Sequence, residues 1–204
     1  MLDKIPRRMT PEEFYAWQDG MDEKYELVDG RPVKRCPDIE MMTGASRRHD
    51  RIVWNLIRAL GNQLGDGPCQ GFTSDTAVLT MKDTRRRPDV GIECGGRDDR
   101  SLEAADVRFV AEVLSPSTRE LDMFGKLEEY REISSMRYVL LVEPNAPRAI
   151  LWSRRDELGW RHEDFEGLEV VLTMPELDIS LGLRDVYSGL TFRPAPTLVE
   201  GDES

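Results

Sequence analysis

The chain has 204 residues, 39% hydrophobic and 33% charged, with a formal net charge of −11. That length supplies a buried core and is most simply one domain, residues 1–192, with a loose acidic tail over 193–204. No apolar run approaches the roughly 18 residues of a membrane helix, and the acidic balance argues against a general nucleic-acid coat protein.

In chain order, residues 1–9 carry basic residues but no apolar stretch behind them, so no secretion signal is expected. Thr10-Pro11-Glu12-Glu13 reads as a helix start, with a Thr cap, Pro in the first turn and Glu at the third helical position. The helix runs to about Gln18. Asp29-Gly30 between Lys24–Val28 and Pro32–Arg35 predicts an N-terminal β-hairpin. Ser46 is the expected cap of a long helix whose Ile52, Val53, Leu56, Ile57, Leu60 and Leu64 follow helical spacing. Strands are expected near Cys69–Phe72, Asp75–Met81 and Pro88–Glu93, then a mobile polar loop over Gly95–Ala105. A strand over Val107–Leu114 and a helix over about Thr118–Ile133 follow. Strands near Tyr138–Glu143, Ala149–Trp152, Trp160–Asp164 and Glu169–Leu172 complete the sheet. The order implies an α/β or mixed α+β domain, a mixed sheet flanked by helices with extra C-terminal strands. Cys36, Cys69 and Cys94 are odd in number, far apart and without a Cys-x-x-Cys spacing, which argues against a disulfide framework or a zinc site and makes a reducing cytoplasm the expected setting. Trp17, Trp54, Trp152 and Trp160 read as core or half-buried packing.

The informative feature is a pair of acids inside strand-like segments: Asp89 in Arg87-Pro88-Asp89-Val90-Gly91 and Glu112 in Phe109-Val110-Ala111-Glu112-Val113-Leu114. Alternation puts Val110, Glu112 and Leu114 on one face and Val107, Phe109, Ala111 and Val113 on the other, both apolar. An ionised Glu there costs several kcal/mol, about the penalty of an unpaired buried ion, unless a cation or a set of donors compensates it. Asp89 is the natural second carboxylate to share a cation. Of the basic clusters, Arg47, Arg48, His49, Arg51 and Arg58 make a local basic segment, and Arg85-Arg86-Arg87 leads directly into Asp89.

In the helix after Glu112, at ~100° per residue, Met123, Phe124, Leu127, Tyr130 and Ile133 sweep out an apolar arc, with Glu128, Glu129 and Glu132 opposite. Lys126 falls inside the arc. Asp122, Lys126 and Tyr130 form one i, i+4 ridge. Lys126 either snorkels or meets the carboxylates. Carboxylates plus one Lys are what phosphodiester hydrolysis needs, with hard oxygen ligands for Mg²⁺ or Mn²⁺ and an ammonium to orient water or stabilise phosphate charge. Purely structural Asp–Lys and Glu–Arg pairs are the competing explanation.

Tyr25-Glu26-Leu27-Val28-Asp29-Gly30, Arg87-Pro88-Asp89-Val90, Glu112-Val113-Leu114-Ser115-Pro116-Ser117-Thr118, and Asp122 with Lys126 and Tyr130 occur in the order of the Uma-two family, which the chain resembles over roughly Met9–Leu190. That bacterial family of restriction-endonuclease-like proteins is assigned to the PD-(D/E)XK nuclease superfamily. The resemblance implies a restriction-endonuclease-like core, with Asp89 and Glu112 as the metal-binding pair and Val113 as a main-chain ligand. The Lys usually two residues after the second acid is absent, that position being Leu114, and the resemblance moves its role to Lys126. Glu26 matches the family's additional acid; its competing reading is a rim carboxylate paired with Lys24 or an Arg. His49 lies where the family often has a His, and it joins Asp122, Tyr130 and Ser115 as candidates for supporting the site or contacting substrate. The expected activity is metal-dependent endonucleolytic cleavage of DNA by a cytoplasmic protein, with homodimerisation suited to cutting two strands. A catalytically inactive nuclease-fold module for nucleic-acid or protein interaction is the second expectation, and a self-assembling scaffold the third.

Overall fold

The computed structural model describes residues 8–34, 45–96, 98, 100–115, 121–155 and 158–192, with backbone alone for 45, 46 and 121–123. Helix α1 (Pro11–Gln18) starts on a full capping box: Thr10 Oγ1 accepts the Glu13 N–H at 3.2 Å, and the Glu13 carboxylate accepts the Thr10 N–H at 2.8 Å. Strands β1 (Tyr25–Val28) and β2 (Arg31–Lys34) form the expected hairpin. Its Asp29 and Gly30 have φ of 49° and 74°, the left-handed pair that a two-residue hairpin turn requires. Helix α2 spans Ala45–Leu64, and the side chain of Ser46, its expected cap, lies outside the described residues.

Next come β3 (Cys69–Thr73), β4 (Ala77–Met81), β5 (Thr84–Arg86), β6 (Val90–Cys94), β7 (Glu103–Ala104) and β8 (Val107–Val113). The expected loop over Gly95–Ala105 therefore contains a short strand. Leu121–Lys126 is a π-helical turn that runs into helix α3 (Leu127–Glu132). The chain then forms β9 (Tyr138–Glu143), β10 (Arg148–Arg154), β11 (Trp160–Glu166), β12 (Val171–Met174), β13 (Ile179–Gly182) and α4 (Leu183–Val186). The tail from 193 onwards, Arg35, and Pro116 to Glu120 with the expected helix start lie outside the described residues.

The strands make two mixed sheets rather than one. A six-stranded sheet has the order β11-β10-β9-β8-β6-β3, antiparallel except for β8–β9. The β8–β9 crossover carries the π-turn and α3, as a parallel connection demands. A five-stranded sheet has the order β2-β1-β5-β4-β7, and β12 pairs with β13 in a separate ladder. The late strands therefore do not all complete one sheet.

Both faces of the six-stranded sheet are buried, as the alternation in β8 predicts. Phe109, Ala111 and Val113 join α2, β12, β13 and α4 in one core cluster, while Val110 and Leu114 join Leu127 and Tyr130 in the other. Val107 belongs with the second set, because the β6–β8 register shifts between Ile92 and Glu93.

Other expectations about side chains fail. Cys69 and Cys94, 25 residues apart, form a disulfide. Distance along the chain was misleading, since β3 and β6 are antiparallel partners in which the two cysteines stand directly opposite. Trp54 is 59% exposed rather than packed, and Phe124 is 69% exposed rather than inside the apolar arc. The wider π-turn rotates each residue by less than an α-helix does, so an arc drawn at the α-helical angle misplaces Phe124.

Candidate functional site

The two acids meet because β6 and β8 are antiparallel neighbours. Their register pairs Val90 with Ala111, so one step further the chain brings Asp89 beside Glu112. Asp89 is 6% exposed and Glu112 3%. The Val113 N–H donates to Asp89 Oδ2 at 2.9 Å. The N–H and C=O of a strand residue leave the backbone on the same edge, so the Val113 carbonyl faces the Asp89 side as well.

Lys126 does not snorkel. It is buried, with Nζ 3.3 Å from Glu112 Oε1 and 3.6 Å from Glu26 Oε1. The Tyr130 hydroxyl donates to Glu112 Oε1 at 2.8 Å. Burial first, then the Glu112 and Glu26 charges, raises the Tyr130 hydroxyl far above its ordinary range and keeps it a neutral donor. Glu26 is no rim carboxylate; it is buried in β1. Besides Lys126 it accepts from Arg86 Nη1 at 3.1 Å and from the Arg87 N–H at 3.0 Å. Burial alone would raise the Glu26 carboxyl, but Lys126, Arg86 and the Arg87 N–H outweigh it and hold it below the ordinary value of 4.5.

His49 reaches across from α2, its Nε2 3.1 Å from Asp89 Oδ2, with a third of its side chain exposed. Ser115 is half-buried just past β8. The Asp122 side chain lies outside the described residues, so the structure does not place it.

The sequence marks out the arginine run beside Asp89 but not the partner that Arg86 finds, Glu129. Arg86 binds Glu129 through two parallel bonds, Nε to Oε2 at 2.8 Å and Nη2 to Oε1 at 2.5 Å. Glu129, expected on the solvent side of its helix, is 8% exposed and also accepts from the Thr80 hydroxyl. The available signal was the helical i, i+3 spacing of Lys126 and Glu129, combined with arginines in a strand that need buried anions. A charged chain thus runs from Glu129 through Arg86, Glu26 and Lys126 to Glu112. The triple arginine serves this framework: Arg85 pairs with Glu103, and Arg87 donates to the Ser74 and Asp75 carbonyls.

As a metal centre, the donor set is all hard oxygen: the Asp89 and Glu112 carboxylates plus the Val113 carbonyl. Among the described residues no three His, Cys, Asp or Glu side chains form a cage for an ion. Carboxylate and carbonyl oxygens are the hard donors that Mg²⁺ and Mn²⁺ take, with water and substrate oxygens completing their shells. The residues therefore fit such an ion. No described helix is long and apolar enough to cross a membrane.

The chain has recognisable relatives among known proteins. It is 28% identical over 187 residues to the uncharacterised protein slr1290 of Synechocystis, covering 91% of this chain and 94% of the relative. A second uncharacterised Synechocystis protein, sll1609, is 26% identical over 164 residues, covering 78% and 89%. Among solved structures, a "putative nuclease belonging to DUF820" from Anabaena variabilis superposes with a TM-score of 0.64 at 15% identity, covering 88% of this chain and 98% of that one, and so shares the fold. The profile of the Uma2 family, described as "Putative restriction endonuclease", matches residues 11–184, and the chain belongs to that family.

Proposed function

We propose that the protein is a divalent-metal-dependent nuclease that hydrolyses phosphodiester bonds of DNA. The observation that carries this reading is that Lys126, from the π-turn, meets Glu112 where the ends of β6 and β8 adjoin and bring in Asp89, all three buried, with the one-third-exposed His49 on Asp89. Asp89 and Glu112, with the Val113 carbonyl, would hold Mg²⁺ or Mn²⁺. When bound, the ion supplies Lewis acidity to the phosphoryl group and acidifies the attacking water.

The chain's own residues do the rest. Lys126 presents an ammonium at the carboxylate pair, where it orients the water or neutralises charge that builds on the phosphate. Glu26 holds Lys126 from behind and so fixes where that charge points. Tyr130 donates to Glu112 Oε1 and fixes the orientation of that carboxylate. His49 steadies Asp89 from the solvent side. In the reaction the water oxygen bonds to phosphorus, a P–O ester bond breaks, and the departing oxygen takes up a proton. Cutting both strands of a duplex would call for two such sites, and hence two copies of the chain.

A second reading has an observation of its own. Lys126 and Arg86 already pair with Glu26, Glu112 and Glu129, as a purely structural network in an inactive interaction module would. Isothermal titration of metal-stripped protein with Mn²⁺ separates the two. Binding by the wild type that is lost in Asp89→Ala and Glu112→Ala, with circular dichroism unchanged, supports the metal site. Wild-type binding retained in either variant removes the assignment.

A further inference from the structure

The misplaced tryptophan points to a second surface. Arg47, Arg51, Trp54 and Arg58 are all exposed on α2. At about 100° per residue they fall within about 60° of arc. Ile52, Leu56 and Leu60 lie opposite and are buried, so this row faces away from the sheet. Arg48 is not part of it: its guanidinium donates to the Pro144 and Thr191 carbonyls and stacks on Phe192. Among the described residues Arg47, Arg51 and Arg58 have no carboxylate partner. The helix carries a single acid, Asp50, in a chain of net charge −11. Arg47, Arg51 and Trp54, with Asp50, Val53 and Ile57, line a shallow depression of about 500 Å³.

We propose that this row is a track for a single-stranded stretch of nucleic acid, with the three guanidiniums on phosphates and Trp54 stacking on an unpaired base. Eleven steps at ~1.5 Å rise make the row about 16 Å long, the reach of a few nucleotides of single strand. Arginines that follow a backbone beside an aromatic platform are how sequence-tolerant single-strand sites are built. In a duplex both faces of each base are covered by neighbours, so an exposed indole gains less from it. Two copies of the chain apposed through this row would bring arginine against arginine, which disfavours self-association there. The track rests on the nuclease reading for its purpose. His49, two residues from Arg47, touches Asp89 from the opposite face of α2, so a strand leaving the carboxylates rounds the first turn of the helix to reach the row.

The test is fluorescence anisotropy with a labelled oligonucleotide, single-stranded and as its duplex, over a range of salt. EDTA keeps the metal site out of the measurement. Wild type is expected to bind the single strand more tightly than the duplex. Combined Arg47→Gln, Arg51→Gln and Arg58→Gln should flatten the slope of log affinity against log salt by about 2, from three phosphates at ~0.7 each. Trp54→Ala should weaken single-strand binding about fivefold or more and leave the slope unchanged. All four side chains are exposed, and melting curves confirm that the variants fold. Wild-type affinity in the triple variant, a preference for duplex, or no binding by wild type overturns the track. Wild-type affinity in the triple variant of a protein that cuts DNA with Mg²⁺ overturns the track and leaves the nuclease reading standing. Binding lost in the variants of a protein that cuts no DNA upholds the track and overturns the nuclease reading.

Discussion

Lys126 is the side chain on which the charge balance of the site turns. Lys126→Met leaves Glu112 and Glu26 facing each other without the cation between them, and breaking such a buried pair costs about 3–5 kcal/mol. Adding Glu26→Gln removes one of the stranded charges. The double variant should therefore be more stable in urea unfolding than additivity of the two single changes allows. Glu26 also makes stability depend on acid. Its folded carboxyl lies below 4.5, so its contribution is complete above that pH and is lost as the pH falls through the lower folded value. Glu26→Gln should be less stable than wild type at neutral pH, and the two should converge as the solution is acidified below pH 4.5, read by denaturant midpoints. A constant gap down to the lowest accessible pH would contradict the ion-paired state of Glu26.

Among the elements, β5 and β6 show how backbone placement and side-chain chemistry depend on each other. β5 is buried along its length although two of its three residues are arginines, because each guanidinium meets a carboxylate from another element. Arg86→Lys should behave nearly as badly as Arg86→Met, losing about 3 kcal/mol or more, since an ammonium cannot reproduce the two-point bond to Glu129 while also reaching Glu26. Gly91 in β6 leaves room for the Phe72 ring of β3, which a Cβ would strike. Gly91→Ala should cost about 1–3 kcal/mol of overpacking and disturb the strand that delivers Asp89. The elements that advertised themselves in the sequence had local chemistry behind them: the Thr10–Glu13 box, the Asp29-Gly30 turn, and the apolar period of α2. β5, β13 and α4 did not, since their burial depends on partners distant in sequence. The Glu129–Arg86 contact was hidden for the same reason.

For the whole molecule, the six-stranded sheet is the frame. Asp89 and Glu112 were legible because a carboxylate amid apolar strand residues needs a physical excuse, and Lys126 because a helical period put an ammonium on an apolar arc. Glu26, His49 and Val113 came from family resemblance, and only the three-dimensional contacts show what each touches. The Cys69–Cys94 bridge was illegible from spacing. Closing a loop of 25 residues contributes about 3 kcal/mol in the chain-entropy account. Cys69→Ser with Cys94→Ser should therefore lower the melting temperature, and a reductant should lower that of wild type but not of the variant. The central claim is that the buried carboxylates and Lys126 form a metal-dependent phosphodiesterase. Its most direct test is the conversion of supercoiled DNA to nicked and linear forms with Mg²⁺ or Mn²⁺, by wild type, Asp89→Asn and Lys126→Met. Cleavage by wild type that EDTA stops and that falls at least about a hundredfold in both variants is the predicted result. No cleavage with either ion, or undiminished cleavage by Asp89→Asn, would contradict it.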